Sequence, residues 1–147
     1  MESRFVVVNT SPLLYLHPIG MLDLLHKPYE TVHTPQAVIQ EFQVGQQQGV
    51  NVPQVSATNW IYVIALPPTD LIPDVTDLGQ GEAEVIAVGR TQINSLLVID
   101  DALGRRIAKL HSLQYTGTLG VLLKAKQRGY LRKVKPVLEQ FKAWGCG

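Results

Sequence analysis

The sequence predicts an α/β fold: one domain over residues 1–147, with three layers, α/β/α, and a mostly parallel central sheet of about four to five strands. Three observations predict it. Short apolar runs at 4–9 (RFVVVN), 60–66 (WIYVIAL) and 96–99 (LLVI) read as strands, the first of them with the unbroken hydrophobicity of a strand buried on both faces. Helical patterns of about 10–15 residues separate such runs, as crossover connections in a parallel sheet require. The runs at 4–9 and 96–99 also end in amide or acid and pass at once into helix starts, the edge where open α/β sheets present their chemistry.

Taken in order, residues 4–9 form the first strand, closed by Asn9. Ser11 is placed to cap a helix whose first position is Pro12, where a missing N–H costs nothing. Leu13, Leu14, Leu16 and Ile19 continue its apolar stripe until Gly20. Met21, Leu22, Leu24 and Leu25 make a second short helix with Asp23 outward. Residues 30–33 (ETVH) read as the second strand, and Thr34-Pro35 as the cap and first position of a helix reaching about Val44. In it Val38 and Phe42 are i,i+4 partners, and Glu41 falls at the margin of the apolar face. Residues 45–55 are Gln-rich and marked by Gly and Pro, a loop; 60–66 is the third strand; 67–77 is a second loop.

Residues 81–93 (GEAEVIAVGRTQI) form a helix whose stripe runs Glu82, Val85, Ile86 and Gly89, with Glu84 pointing elsewhere. The strand 96–99 follows, then a helix over 101–112 with Ile107, Ala108 and Leu110 inward. Residues 114–116 make a fifth short strand. Thr118 caps a helix carrying Leu119, Val121, Leu122 and Ala125, which Gly129 ends. A last helix begins near Pro136 and holds Val137, Leu138, Phe141 and Trp144, before a loose tail at 143–147.

Composition narrows the function. With 46% apolar and 17% charged residues the chain is globular rather than disordered. Its one cysteine, Cys146, excludes an internal disulfide and a thiolate metal cluster. Asn9, Pro12, His17 and Pro18 break the N-terminal apolar stretch, which is therefore no signal peptide. No run approaches the ~18 apolar residues of a membrane helix, so the expected location is the cytoplasm. The net charge of +1 conceals two unlike halves. Residues 1–103 hold three basic side chains against eleven acids, a net of −8; residues 104–147 hold ten basic side chains against Glu139 alone, a net of +9. An acidic site beside a basic surface suits an enzyme acting on a polyanion. A solvated basic helical face explains the second half equally well.

The chemistry-bearing residues share one logic, an acid or amide at a strand end or in a helix's first turn. Asn9, Glu82, Asp100 and Asp101 meet it, and Glu41 joins them from its helix margin. Oxygen ligands of this kind suit Mg²⁺ or Mn²⁺. Each also has a plainer role: Asn9 as a turn residue, Glu82 as a complement to a helix dipole, Asp101 as an N-cap, Glu41 as an acid paired with a base. Asp101 as cap leaves Asp100 as the ligand. No P-loop, GxGxxG or nucleophile elbow is present, and His17, His26, His33 and His111 lack metal-ligand spacing.

Residues 6–25 (VVVNTSPLLYLHPIGMLDLL), 78–89 (LGQGEAEVIAVG) and 96–131 (LLVIDDALGRRIAKLHSLQYTGTLGVLLKAKQRGYL) resemble the PIN-domain family, in its branch of small stand-alone prokaryotic proteins. Residues 30–44 resemble its glutamate-bearing helix less distinctively. The resemblance implies a metal-dependent endoribonuclease, a toxin type neutralised by an antitoxin, using Mg²⁺ or Mn²⁺. It implies Glu41, Glu82 and Asp100 as catalytic acids and Asn9, Glu82, Asp100 and Asp101 as metal ligands. Ser11, Arg105, Arg106 and Thr118 are the expected substrate contacts, with the face over 124–128 as further backbone contacts. RNA, an antitoxin protein and a second copy of the chain are the expected partners. Many family members carry aspartate where this chain has Asn9, and an amide removes one negative charge. A catalytically silent PIN-fold module that binds RNA or protein is therefore the alternative. A phosphoacceptor receiver is disfavoured, because its acid pair should follow the first strand.

Overall fold

In the computed structural model, which describes residues 4–29, 31–65 and 69–143, the first apolar run becomes β1 (Phe5–Val8). Its three valines are fully buried and alternate across the sheet. Val6 and Val8 join the core on one face, and Val7 joins the core on the other. β2 (Val32–Pro35) and β4 (Ser95–Val98) flank β1, and β3 (Ile61–Ile64) and β5 (Gln114–Thr116) lie outside them. The order is β3-β2-β1-β4-β5, and every pairing is parallel. The five strands sit within a three-layer α/β/α fold.

α1 (Thr10–Leu16), α5 (Thr118–Gln127) and α6 (Lys135–Ala143) cover one face, meeting Val6, Val8, Leu96 and Val98 through Leu13, Leu16, Val121, Leu122, Val137 and Phe141. Val38 and Phe42 of α2 (Gln36–Gln47) belong to that core too. α3 (Gln80–Arg90) and α4 (Ala102–Leu110) cover the other face through Val85, Ile86, Val88, Ile107 and Ala108. From β1 the chain steps one way to β2 and β3, and later the other way to β4 and β5. The crevice at the carboxyl ends of β1 and β4 is thus the switch point, where this kind of sheet leaves room for a ligand.

Several local expectations are corrected. α1 begins at Thr10 with Asn9 at its N-cap, so Ser11 lies inside the helix and is not the cap. Thr34 and Pro35 finish β2 rather than open α2. Thr34 is fully buried, and its hydroxyl donates to the Val8 carbonyl (2.9 Å), a cross-strand bond that outcompetes capping. α2 then runs to Gln47 and absorbs the start of the expected loop. The expected second short helix is one 3₁₀ turn, Leu22–Leu25.

Glu84 does not point away. It is 1% exposed, because α3 packs against β1, β2, β4, α2 and α4 and has little outer face. Leu110, by contrast, is 74% exposed at the end of α4, and Leu119 is half-exposed on α5. Gly117 stands at the N-cap of α5, so Thr118 is its first residue and not its cap. Gly129, at φ +82°, ends that helix as expected. Trp144, Leu66 and the expected tail lie outside the described residues.

Candidate active site

Three small groups of side chains line the switch-point edge. The first is centred on Asn9. The strand bond Asn9 N–H to Val98 O (3.0 Å) holds its backbone, and burial to 1% exposure holds its side chain. Among the described residues its Oδ1 is a buried side-chain oxygen with no hydrogen-bond partner. Glu41 reaches the same point from α2. Its Oε1 accepts from the Gly81 N–H (3.1 Å) and its Oε2 from the Thr10 hydroxyl (2.5 Å). A methyl group on Gly81 would lie 2.6 Å from Glu41 Oε1 and 2.9 Å from Asn9 Oδ1. Two acceptor oxygens therefore crowd one glycine.

A buried acceptor without a donor costs about 1–3 kcal/mol unless something satisfies it. An amide oxygen beside a carboxylate oxygen is a donor set for a hard divalent cation, which takes one or two carboxylates and fills its remaining positions with water or phosphate. The Asn9–Glu41 pair fits such an ion.

The second group surrounds Asp100, at the end of β4. Its Oδ1 accepts from the Thr118 N–H (2.7 Å) and its Oδ2 from the Thr118 hydroxyl (2.6 Å). Asp100 thus caps α5 from a different element. The Arg105 guanidinium lies 3.9 Å from Oδ1, and Arg105 Nε donates to the Ile99 carbonyl (2.8 Å). A methyl group on Gly117 would collide with the Arg105 guanidinium and sit 2.6 Å from Asp100 Oδ1, so this clamp also closes over a glycine. Both Asp100 oxygens are engaged within the protein.

The third group lies at the starts of α3 and α4. Asp101 caps α4, its Oδ2 accepting from the Gly104 N–H (2.7 Å). Glu82 folds its carboxylate back over Gly79, the N-cap of its own helix, while its Cγ would pass 3.4 Å from a methyl group on Gly104. Glu82 Cγ and Asp101 Oδ2 thus both lie beside Gly104 in the first turns of α4. Ser11 is half-buried in the first turn of α1, and Arg106 is exposed on α4.

The expected residues thus share one edge, but their grouping differs from the expectation. Glu41 stands with Asn9, and Asp100 stands with Thr118 and Arg105. Among the described residues no three carboxylate, histidine or cysteine side chains come together as a ready-made metal cluster. Thr10 and Gly81 complete the Glu41 anchorage and carried no sequence signal beyond their places beside Asn9 and Glu82. Glu84, which periodicity set off the buried stripe, is buried instead. Its Oε1 accepts from the Ala37 N–H (3.3 Å) in the first turn of α2 and its Oε2 from Gln80 Nε2 (3.0 Å). It ties the helix bearing Glu41 to the helix bearing Gly81.

A family model described as a PIN domain matches residues 5–146. No curated protein matches the chain.

Proposed function

The chain belongs to the PIN-domain family, and on that footing we propose that it is a metal-dependent endoribonuclease, a phosphodiesterase acting on RNA. The observation that carries this reading is the buried, donorless Asn9 Oδ1 crowded against the Glu41 carboxylate at the end of β1. Asn9 and Glu41 would hold Mg²⁺ or Mn²⁺, with the Glu82 and Asp101 carboxylates adding negative charge at the same sheet edge. A cation bound there would lower the pKa of an attacking water and offset charge on the scissile phosphate. Burial and the Thr10 and Gly81 bonds keep the two ligand oxygens in place before any ligand arrives. Asp100 fixes the start of α5 and the Arg105 guanidinium, which with Arg106, Ser11 and Thr118 would position phosphates without reading sequence.

The test is cleavage of single-stranded RNA with Mn²⁺ by the wild type and by Glu41→Gln, Glu82→Gln and Asp100→Asn. Glu41→Gln and Glu82→Gln are each expected to lower the rate by about a hundredfold, the low end for losing a catalytic carboxylate, and Asp100→Asn to lower it by loosening Thr118 and Arg105. Undiminished cleavage by all three would overturn the site.

A second reading, a silent module that binds RNA or protein, is favoured by Asn9 itself and by the full engagement of Asp100. Asn9→Asp separates the two. A sharp gain in metal-dependent cleavage from an inert wild type supports the silent module, and an active wild type excludes it. The proposal extends to a toxin's role in the cytoplasm, with an antitoxin protein and a second copy of the chain as partners. A cleft of about 460 Å³ beside Glu41, lined by Thr10, Ala37, Val44 and Gln80, supports it with room for an inserted side chain. Relief of growth arrest by a neighbouring small open reading frame is its check. Among the described residues no helix is long and apolar enough to cross a membrane.

A further inference from the structure

α5 carries the chain away from the Asp100 clamp for ten residues, about 15 Å at the helical rise. It ends in a Schellman turn: Gly129 N–H donates to Lys126 O (3.1 Å) and Tyr130 N–H to Ala125 O (2.8 Å). Gly129 takes φ +82°, a conformation strained for any side chain, so the turn is built to be there. It delivers Tyr130 at a fixed place with its residue surface 45% exposed, and Lys27 Nζ lies 5.8 Å from the ring centroid. Tyr130 lines a cleft of about 550 Å³ with Met21, Leu131, Arg132, Lys133 and Val137. From 124 to 135 the chain holds six basic side chains and no acid. The acids nearest in sequence to the cleft residues, Asp23 and Glu139, both face solvent.

A merely solvated basic face needs neither a cleft nor an aromatic side chain pinned half-exposed among its charges. A positive groove with a stacking platform is how single-stranded nucleic acid is held without sequence preference, whereas a duplex hides its base faces. We propose that this cleft is a second binding site for single-stranded RNA, taking a base against Tyr130 and the flanking phosphates on Arg132, Lys133 and Lys27. The identity of the ligand rests on the ribonuclease reading. A strand long enough to reach from the Asp100 edge along α5 engages both places.

The test is binding of a labelled single strand by fluorescence anisotropy in EDTA, where metal-dependent cleavage is stopped. Tyr130→Ala should weaken binding about tenfold, within the range for one lost base stack. Tyr130→Phe should not weaken it. The double substitution Arg132→Gln and Lys133→Gln should flatten the slope of log affinity against log salt by about 1.4, two phosphate contacts' worth for single strands. All these residues are solvent-facing, so circular dichroism and melting temperature should stay at wild-type values. Equal binding by wild type and every variant overturns the proposal, as does equal weakening for a duplex of the same sequence. Binding of a partner protein at the cleft without any RNA binding overturns it too. If Glu41→Gln, Glu82→Gln and Asp100→Asn all leave cleavage unchanged while Tyr130→Ala still weakens binding, the ribonuclease site fails and the cleft stands. Metal-dependent cleavage with binding indifferent to Tyr130 does the reverse.

Discussion

Gly81 shows how much of the edge rests on single atoms. It sits at the second position of α3, where alanine would favour the helix by up to about 1 kcal/mol over glycine. Its place is kept instead by the close approach of Glu41 Oε1 and Asn9 Oδ1, both of which would lie within 3 Å of a methyl group. Gly81→Ala should therefore leave the melting temperature unchanged or slightly raised. Metal-dependent RNA cleavage should fall by about a hundredfold, the scale expected when reacting groups are displaced by about 1 Å. Melting and cleavage measured on one preparation check this, and a loss of both would mean that the glycine serves folding instead. Asn9 and Glu41 were legible as candidates because each is a polar group at a strand end or helix margin. That one glycine brings them together was not legible, since residues 9, 41 and 81 meet only across three elements.

At the scale of elements, the adjacent acids Asp100 and Asp101 divide their work by direction. Asp101 caps the helix that follows it, a local task its sequence position announces. Asp100 points across the sheet edge to the first turn of α5, eighteen residues later. Asp101→Ala should cost about 1 kcal/mol of stability, the usual penalty for a lost N-cap, and denaturant unfolding should show it while RNA binding in EDTA is unaffected. α3 shows the opposite limit of sequence reading. A helix enclosed by strands and two neighbouring helices has no polar stripe to betray its inner face, so periodicity assigned Glu84 outward. Its carboxylate is buried because it has the Ala37 N–H and Gln80 amide to satisfy it.

For the molecule as a whole, parallel pairing around β1 sets both stability and site. His33, on β2, stacks on Phe5 with ring centroids 3.9 Å apart, and its Nδ1–H donates to the Val6 carbonyl (3.1 Å). Burial holds its pKa below the ordinary 6.5, outweighing the carbonyl bond that raises it. The unfolded chain then binds the extra proton first as pH falls below about 6.5. The stability that neutral His33 contributes is fully present above that pH and declines down to the lowered folded value, levelling off beneath it. His33→Gln should remove this part of the slope, which urea unfolding between pH 7.5 and 5 compares directly. An equal slope in both proteins would mean that His33 does not titrate differently on folding.

Local pattern along the chain is enough to specify the layers. Unbroken apolar runs and helix-length spacers specify an α/β domain, because strand-length apolar runs and helical periodicity are properties of neighbouring residues, and the three quoted stretches carry the resemblance to PIN domains. It also marked which polar side chains stand at strand ends. The folded sheet sets their company: Glu41 with Asn9 over Gly81, Asp100 with Thr118 and Arg105 over Gly117, and Glu84 inside. Those pairings depend on strand order and helix enclosure, which bring together residues tens of positions apart. No local pattern encodes a contact whose partners meet only once the sheet has formed.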